Sequence, residues 1–253
     1  MANLFDLSGK VAVVTGGSRG IGRAIAQGFA EAGAEVVIAS RKADACEQAA
    51  REITESTGRR ALGVGAHVGR WADCDALAER VYGEFGRCDV LVNNAGMSPF
   101  YDDLASVTEE YWDKVTAVNL KGPFRLGSLV GARMAKADGG SIINVSTIGS
   151  LRPGSHELVY ACAKAGLNAL TIGLADAYGP KVRANGILPG AVMTDIAAHW
   201  SPEAVERTKL CPMGRPGEAE DFVGTALWLA SAASGWITGV LVRVDGGACR
   251  QMS

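Results

Sequence analysis

The chain has 253 residues, of which 48% are hydrophobic, and its formal net charge is −2. This length and apolar content are enough for one large α/β domain with a substantial core. The positive charges are scattered, which argues against nucleic acid and against an anionic membrane surface as partners. The first residues contain no cationic segment followed by a long apolar core, and no apolar run is long enough to cross a bilayer. We therefore expect neither a secretory signal nor a membrane span.

The six cysteines are spread along the chain, and no two of them form a Cys-x-x-Cys unit. This spacing argues against a zinc site and against a disulfide framework. We therefore expect reduced thiols, no bound metal and a cytoplasmic location.

Short apolar runs alternate with longer amphipathic segments along the chain. Many of the runs are rich in Val and Ile and are flanked by Gly, Asp or Asn, which is typical of buried strands. They predict strands at Val11–Thr15, Val36–Ser40, Ala61–Val68, Val90–Asn93, Ile142–Ser146, Ala184–Leu188 and Val240–Val244. Helical periodicity predicts helices at Ile21–Ala32, Ala43–Thr57, Asp73–Phe85, Glu109–Ala135, Val159–Tyr178 and Glu218–Ala230.

Strands that alternate with helices in this way pair in parallel and are joined by right-handed crossovers. The sequence therefore predicts a single Rossmann-like α/β domain over residues 1–253. Its doubly wound sheet would have about seven parallel strands, with helices on both faces. Residues 191–217 interrupt the alternation of strands and helices, because this stretch is too long for an ordinary connection and contains three prolines. It follows the carboxyl end of a strand, where open sheets bind ligands, so we expect a substrate lid; a rigid surface excursion is the alternative.

A glycine-rich turn joins the first predicted strand to the first predicted helix. Glycines let a pyrophosphate approach the backbone closely, and the N–H groups that open the helix then face the phosphate. The spacing is Gly-x-x-x-Gly-x-Gly rather than the commoner Gly-x-Gly-x-x-Gly, and a tight strand-to-helix connection is the alternative interpretation. The residues expected to contact the cofactor here are Gly16, Ser18, Arg19, Gly20, Ile21 and Gly22.

The second predicted strand ends in Ser40, Arg41 and Lys42, without the carboxylate that usually binds the ribose 2′-hydroxyl of NAD. Guanidinium and ammonium groups match a 2′-phosphate in charge and geometry. The sequence therefore predicts NADP(H) as the preferred cofactor over NAD(H). The alternative is that these are solvated loop charges.

The predicted helix that begins at Glu109 contains Asn119 and, four residues later, Pro123. Pro has no N–H to donate to the carbonyl of Asn119, so the helix should be distorted there. The freed carbonyl and the amide side chain of Asn119 could hold a water, as a proton relay requires. A simple helix kink is the alternative.

Tyr160 and Lys164 lie four residues apart in a predicted helix, so both side chains can project from one face. A nearby cation stabilises a phenolate and lowers the pKa of the phenol, which suits the tyrosine to give or take a proton at a carbonyl oxygen. Two hydroxyl residues, Ser146 and Thr147, end the fifth predicted strand, and either could hydrogen-bond a substrate oxygen. Taken alone, each of these features is more often a structural or solvent-exposed side chain without a catalytic role.

Together these residues resemble the short-chain dehydrogenase/reductase family, and the similarity runs essentially from end to end. It rests on motifs in a fixed order: Thr15-Gly16-x-x-x-Gly20-x-Gly22, Asn93-Asn94-Ala95-Gly96, Asn119, Ser146-Thr147, Tyr160-x-x-x-Lys164, Pro189-Gly190 with Thr194, and Asp245-Gly246-Gly247. The resemblance implies hydride transfer between a nicotinamide cofactor and a carbonyl or secondary alcohol carbon.

The resemblance also implies roles. Tyr160 would be the general acid/base, Lys164 would lower its pKa and hold the nicotinamide ribose, and Asn119 would anchor the relay water. Asn93, Asn94, Ala95 and Gly96 would stabilise the sheet and lie along the cofactor. Contacts to the carboxamide end of the cofactor would come from Pro189, Gly190, Val192 and Thr194.

The chain departs from the family pattern at two positions. The substrate-orienting serine of the family usually lies 13 positions before the tyrosine, where this chain has Thr147. Threonine keeps the hydroxyl and adds a methyl group that restricts χ1. We expect Thr147 to take the role, with Ser146 as the alternative. Before Val68, near the adenine edge, the family usually has Asp, whereas this chain has His67, which could stack or hydrogen-bond there or could weaken cofactor binding.

The expected substrate wall is mostly apolar, which favours a hydrophobic or cyclic ketone; it comprises Met97, Phe100, Leu151, His156, Val192, Met193, Ile196 and Trp200. A related alternative activity is 3-oxoacyl-carrier-protein reductase. A different class of alternative is a non-catalytic NADP(H)-binding sensor or scaffold. The family resemblance implies a homotetramer or homodimer, and small residues on the helix from Val159 would permit close packing between helices; they are Ala161, Ala163, Ala165, Gly166 and Ala169.

Overall fold

The fold is a single parallel sheet covered by helices on both faces. The structure is a computed structural model that describes residues 3–99, 101–194 and 201–249. Within these residues, seven strands pair in parallel in the order β3-β2-β1-β4-β5-β6-β7. The strands are β1 (Val11–Thr15), β2 (Glu35–Ser40), β3 (Ala61–Gly65), β4 (Val90–Asn93), β5 (Gly140–Val145), β6 (Val182–Pro189) and β7 (Leu241–Val244).

The helices connect the strands in the expected alternation. They are α1 (Gly20–Glu31), α2 (Ala43–Thr57), α3 (Trp71–Phe85), α4 (Glu109–Thr116), α5 (Gly122–Lys136), α6 (Leu158–Tyr178), α7 (Pro202–Thr208) and α8 (Val223–Ala230). The strand order reverses direction between β1 and β4. In a doubly wound sheet this switch point opens a crevice at the carboxyl ends of the strands, where ligands bind.

The two faces of the sheet bury two apolar layers, because alternate residues of each strand point in opposite directions. In β1, Ala12 and Val14 join the layer that includes Phe29 of α1. Their neighbours Val11 and Val13 join the opposite layer with Leu126 of α5. A strand buried on both faces must be apolar at every position, which explains why the strands are near-continuous Val and Ile runs rather than alternating patterns.

Most predicted elements are confirmed with boundaries within two residues, and three differ more. Strand β3 ends at Gly65 rather than at position 68, so His67 and Val68 lie in the loop that follows it. The helix predicted as continuous from 109 to 135 is interrupted by a five-residue π-helical turn at Ala117–Lys121. This confirms the distortion expected next to Pro123. The helix predicted from Glu218 begins with a 3₁₀ turn at Ala219–Phe222 before α8.

Residues 155–178, which include α6, are long and apolar enough by length and composition to cross a membrane, with a mean hydropathy of 1.4. Half of that stretch is buried inside the protein. Leu167 and Leu174 of α6 are almost fully buried. The core helix of an α/β domain has this composition because it packs against the sheet, so the observation is weak support for a membrane span.

Candidate active site

The glycine turn after β1 is held against the loop after β4, so these two loops form the floor of the crevice. Gly16 has a φ of +66°, in the left-handed region that favours glycine. The Asn94 side chain donates to the main-chain carbonyls of Thr15 (2.9 Å) and Gly16 (3.2 Å). The Thr15 hydroxyl accepts from the backbone N–H groups of Asn94 and Ala95, both at 3.1 Å. A Cβ atom at Gly22 would collide with the Asn94 amide, so the third glycine of the motif serves this close approach.

One large cavity of about 1130 Å³ runs from this turn across the carboxyl ends of the strands. Its first end is lined by Gly16, Ser18, Arg19, Gly20 and Ile21, and then by Ser40, Arg41 and Lys42 at the end of β2. Arg41 and Lys42 are exposed. The Ser18 hydroxyl donates to that of Ser40 at 3.1 Å, which ties the turn to the end of β2. A cradle of backbone N–H groups with cations beside it fits a phosphorylated nucleotide.

Lys164 projects from α6 into the middle of this cavity. Its side chain is 2% exposed, and its Nζ donates to the main-chain carbonyl of Val145 at 2.7 Å. Burial lowers the pKa of Lys164 to about 7. A Cβ at Gly96 would lie 3.5 Å from this Nζ and 3.0 Å from Oδ1 of Asn119. Gly96 therefore lies against both side chains, and a methyl group there would need Asn119 to shift by a few tenths of an ångström.

Asn119 is fully buried and is not among the residues that line the cavity. Its Nδ2 donates to the carbonyls of Met97 (2.8 Å) and Val115 (2.9 Å), and its Oδ1 accepts from the N–H of Met97 at 3.2 Å. The amide side chain therefore fixes the loop after β4, and does not reach the cavity as the expected water ligand. The proton-relay role of Asn119 stays a prediction, and it would have to use the main-chain carbonyl within the π-helical turn.

Tyr160 lies one helical turn before Lys164, and Lys164 Nζ is 5.7 Å from the centre of its ring. The side chain of Thr147 lies beside the Tyr160 phenol, close enough to lower the pKa of the phenol by hydrogen bonding. The neighbouring Ser146 hydroxyl lines the same cavity but donates to the main-chain carbonyl of Lys164 at 3.2 Å. The structure therefore brings Thr147, rather than Ser146, to the phenol.

The environment of Tyr160 differs from the sequence-based expectation in its electrostatics. Burial raises the pKa of the phenol well above its ordinary value, and the carboxylate of Glu157 raises it further, while the hydrogen bond from Thr147 lowers it. The expected lowering by Lys164 is not the dominant effect, because burial disfavours the ammonium form of Lys164 as well. Without cofactor, the neutral phenol is therefore the stable form.

A family model described as enoyl-(acyl carrier protein) reductase matches residues 16–249, which contain the glycine turn and the Tyr160–Lys164 pair. The chain belongs to the short-chain dehydrogenase/reductase family. The proteins of this family are oxidoreductases that bind a nicotinamide cofactor and act on CH–OH or carbonyl groups.

Among its relatives is a 3-oxoacyl-(acyl-carrier-protein) reductase from Chlamydia muridarum. It is 38% identical over 244 residues, which cover 95% of this chain and 98% of the relative. An L-rhamnose 1-dehydrogenase (NAD(P)+) from Azotobacter vinelandii is 37% identical over 246 residues, covering 94% of this chain and 96% of the relative. The crystal structure of L-sorbose reductase from Gluconobacter frateurii, complexed with NADPH and L-sorbose, superposes with a TM-score of 0.91 at 30% identity. That superposition covers 99% of this chain and 100% of the reductase.

The other expected cofactor contacts of this short-chain dehydrogenase/reductase lie in the cavity, with two exceptions. The cavity is lined by His67, Val68, Ala95, Gly96, Pro189, Gly190, Val192 and Thr194. Asn93 does not line it; its side chain is buried inside the sheet and donates to Oδ1 of Asn144 at 2.9 Å. Gly22 also lies behind the cavity, against Asn94. Both residues serve the packing beneath the cavity, and their contact with the cofactor stays a prediction.

His67 faces the cavity where the family usually has Asp. Its Nδ1 accepts a hydrogen bond from the N–H of Gly69 at 3.1 Å, so in the neutral form Nε2 carries the proton. Its backbone N–H donates to Asp73 at 2.9 Å, which anchors the loop to the start of α3. The ring is thus oriented by its own loop, and its contact with an adenine stays a prediction.

The substrate end of the cavity is more polar than the mostly apolar wall that was expected from the sequence. Met97, His156 and Val192 line it as expected, but Leu151 and Met193 do not, and both are exposed. Phe100, Ile196 and Trp200 lie outside the described residues. The lining residues that the sequence interpretation missed include Ser98, Ile148, Gly149, Arg152, Gly154, Glu157, Ala248 and Cys249. Of these, Glu157 carried a usable signal, because it lies three residues before Tyr160 and hence on the same side of a helix.

Backbone hydrogen bonds hold the two ends of the 191–217 segment together. The N–H of Met193 donates to the carbonyl of Gly217 at 2.8 Å, and the N–H of Gly217 donates to that of Ala191 at 2.9 Å. Arg215 forms a bidentate salt bridge with Asp221, with N–O distances of 2.6 and 2.8 Å. Thr194 faces the glycine turn, since a Cβ at Gly20 would lie 3.5 Å from its methyl group. Ala191, Val192 and Thr194 of the segment line the cavity, and its motion as a lid stays a prediction.

Proposed function

We propose that this protein transfers a hydride between NADP(H) and a ketone or secondary alcohol, with Tyr160 as the general acid/base. The observation that carries the proposal is the convergence of Thr147, Tyr160 and Lys164 on one cavity that also contains a glycine-turn cradle. The residues present fit the cofactor. Position 16 must be glycine, because a side chain there would collide with the backbone of Ala95, and the backbone N–H groups that open α1 at this turn can face a phosphate.

Within this proposal each side chain has a defined task. In the direction of reduction, the Tyr160 phenol gives its proton to the carbonyl oxygen of the substrate, and the Thr147 hydroxyl donates a hydrogen bond to the same oxygen. In the direction of oxidation, the phenolate of Tyr160 takes the proton from the alcohol oxygen of the substrate. The bound nicotinamide supplies or takes up the hydride. Lys164 would donate to ribose hydroxyls, which gives its buried ammonium polar partners besides Val145 and stabilises the charged form.

Arg41 and Lys42 support NADP(H) rather than NAD(H), since two cations and no carboxylate lie at the end of β2 in the cavity. The L-sorbose reductase neighbour is complexed with NADPH. The names of two relatives, for L-rhamnose and L-sorbose, together with Arg152, His156 and Glu157 in the cavity, favour a polar, hydroxylated substrate over the hydrophobic ketone that the sequence alone suggested.

The test is NADPH consumption at 340 nm with a panel of ketones, hydroxy ketones and ketoses, with Tyr160→Phe as the matched inactive variant. We expect consumption with at least one carbonyl compound and a loss of about 10²- to 10⁴-fold in the variant, whose NADPH binding is retained. Binding of NADPH without consumption across the whole panel would favour the alternative of a non-catalytic NADP(H) sensor or scaffold.

A second candidate is 3-oxoacyl-carrier-protein reductase. It is favoured by the relative of that name, which is 38% identical over almost the whole chain. Acetoacetyl-CoA and an acetoacetyl carrier protein test it directly. If turnover of the carrier-linked substrate exceeds that of free hydroxy ketones by about 100-fold in kcat/KM, this candidate replaces the free-substrate activity.

We also propose that the protein is a cytoplasmic homotetramer or homodimer. Only some of the small residues of α6 are available to a second copy. Ala161 and Ala163 are buried within the chain, and Gly166 packs against Leu120. Ala165 and Ala169 are exposed, next to Ile172, which is 53% exposed. This exposed face of α6 supports packing between helices of two copies.

A further inference from the structure

We propose that Glu157 is a specificity residue that accepts a hydrogen bond from a hydroxyl group next to the reacting carbon, so that the preferred substrate is an α-hydroxy ketone or its vicinal diol. This proposal rests on the carbonyl reductase activity proposed above and adds the class of substrate to it.

The carboxylate of Glu157 lies near Thr147, on the side of its methyl group. A methyl group at Gly149 would be 2.6 Å from Oε1 of Glu157 and 3.5 Å from Cγ2 of Thr147, so the two side chains flank one point. Glu157 closes the 3₁₀ turn that leads into α6, one helical turn before Tyr160. Glu157, Thr147 and Tyr160 all line the same cavity.

The hydrogen-bonding capacity of this carboxylate is largely unused. Among the described residues Glu157 forms no ion pair, and the hydrogen bond that stabilises its charge comes from the backbone of Gly154. An ionised carboxylate can accept about four hydrogen bonds. Burial raises the pKa of Glu157, which is the expected cost of a half-buried carboxylate without a cation. A donor on the substrate would offset that cost.

The position of the donor on the substrate follows from the arrangement. Thr147 and Tyr160 would hold the oxygen on the reacting carbon, and Glu157 lies beside Thr147, so a group that reaches Glu157 is attached to a carbon near the reacting one. The exposed Arg152 and His156 line the same region. These cationic or ionisable neighbours disfavour a requirement for a positively charged substrate, so a neutral hydroxyl is the donor that the surroundings favour.

The test compares two substrates that differ only in this hydroxyl: 2-hydroxycyclohexanone and cyclohexanone, with NADPH as cofactor. We expect the wild-type protein to prefer the hydroxylated ketone in kcat/KM. In Glu157→Leu this preference should fall by about 10- to 100-fold, because the charged acceptor is lost. In Glu157→Gln, which keeps the shape and one acceptor oxygen, it should fall by less. Asp176→Asn is the matched control, since Asp176 is exposed on the same helix and does not line the cavity.

Two results would overturn the proposal. One is a wild-type protein with no preference for the hydroxylated ketone. The other is an equal loss of activity towards both ketones in the Glu157 variants, which would mean that Glu157 only supports the loop through Gly154. Thermal unfolding of each variant shows whether it is folded, and Glu157→Gln provides the comparison if Glu157→Leu is not.

Failure of the proposed activity is distinguishable from failure of this inference. If the wild-type protein binds NADPH but turns over neither ketone, calorimetric binding of trans-cyclohexane-1,2-diol and of cyclohexanol to the protein–NADP⁺ complex replaces kinetics. A diol affinity that exceeds that of cyclohexanol and drops by about 10-fold or more in Glu157→Leu supports the role of Glu157 without catalysis. Equal affinities for the two alcohols would overturn it.

Discussion

The side chain of Thr147 lies beside the phenol of Tyr160, thirteen residues further along the chain, and lowers the pKa of that phenol. The hydroxyl also accepts from the N–H of Gly149 at 3.1 Å, which caps the short 3₁₀ turn at Ile148–Ser150. This capping contact fixes the orientation of Thr147 towards the cavity. Ser146, the preceding residue, is 3% exposed and donates to the backbone of α6. Both residues follow the end of β5, but the backbone at Thr147 is still extended, and in an extended chain successive side chains point in opposite directions.

Replacement of Thr147 should therefore affect turnover much more than replacement of Ser146. We expect Thr147→Ala to lower kcat by about 10²-fold, as removal of one hydrogen-bond donor at a developing oxyanion does, and Thr147→Ser to retain most of the activity. Ser146→Ala should lower stability by about 1 kcal/mol, with kcat nearly unchanged. Steady-state kinetics and thermal unfolding of the three variants measure both effects. A larger loss of kcat in Ser146→Ala than in Thr147→Ala would reverse the assignment.

The sequence was sufficient to predict the sheet, because the near-continuous apolar strands and the amphipathic helices each have a distinct period. It was also sufficient to predict the distortion beside Pro123, since a missing N–H has a direct consequence for a helix. The pair formed by Tyr160 and Lys164 followed from helical spacing alone.

The walls of the cavity could not be predicted in the same way, because loops have no period from which side-chain directions follow. Leu151 was expected in the cavity and is exposed instead, whereas its neighbour Arg152 lines the cavity. Glu157 was missed because the helix was expected to begin at Val159. A 3₁₀ turn at Ser155–Glu157 extends the helical geometry backwards and brings Glu157 beneath Tyr160. The contacts of the Asn119 amide could not be predicted, because its partner, the loop at Met97, is distant in sequence.

In the proposed function Arg41 favours NADP(H), because it is exposed at the end of β2 and lines the cavity. Replacing it with Asp would repel a 2′-phosphate and provide an acceptor for a 2′-hydroxyl. We expect Arg41→Asp to lower kcat/KM with NADPH by about 10- to 100-fold and to raise it with NADH, measured with the same substrate. Arg51→Asp, on the exposed outer face of α2, is the control and should leave the ratio unchanged. The prediction fails if wild-type efficiency with NADH equals that with NADPH and Arg41→Asp leaves the ratio where it was.

The two directions of the reaction should respond differently to pH. Burial and the Glu157 carboxylate hold the pKa of Tyr160 above its ordinary value, so the phenol keeps its proton through neutral pH. Reduction uses the protonated phenol, so its kcat/KM should be nearly flat from about pH 6 to about pH 9. Oxidation uses the phenolate and should rise throughout this range. Glu157→Gln removes a negative charge near the phenol, so it should move the rise in oxidation to lower pH. An unchanged oxidation profile in that variant would show that Glu157 does not act on Tyr160.

The exposed face of α6 should determine the oligomeric state. Ala165 and Ala169 lie one helical turn apart on that face, and both are exposed in a single chain. Two arginines there would block close contact between helices and place like charges opposite each other. We expect the double variant Ala165→Arg/Ala169→Arg to sediment as a smaller species than the wild-type protein, with its secondary structure retained in far-ultraviolet circular dichroism. Identical sedimentation of the two proteins would place the interface elsewhere, and a monomeric wild-type protein would contradict the proposed oligomer itself.

The last prediction concerns the stability of the protein without cofactor, which the buried Lys164 should lower. Burial shifts the pKa of its ammonium from 10.5 to about 7, so the folded state releases a proton that the unfolded state keeps between these two values. The penalty is therefore full below pH about 7, decreases as the pH rises, and vanishes above pH about 10.5. Lys164→Met removes the group and fills its volume.

Without cofactor, Lys164→Met should be more stable than the wild-type protein near neutral pH. The removed penalty is about 2–5 kcal/mol, whereas the lost hydrogen bond to Val145 contributes about 1–3 kcal/mol in the opposite direction. Their difference should shrink, and then change sign, as the pH approaches 10. Urea unfolding of both proteins at a series of pH values measures it. Added NADP⁺ should stabilise the wild-type protein more than the variant, because only the wild-type protein has the ammonium group that would bind the ribose hydroxyls. A variant less stable than the wild-type protein at pH 6 without cofactor would show that the ammonium is well accommodated in the cavity.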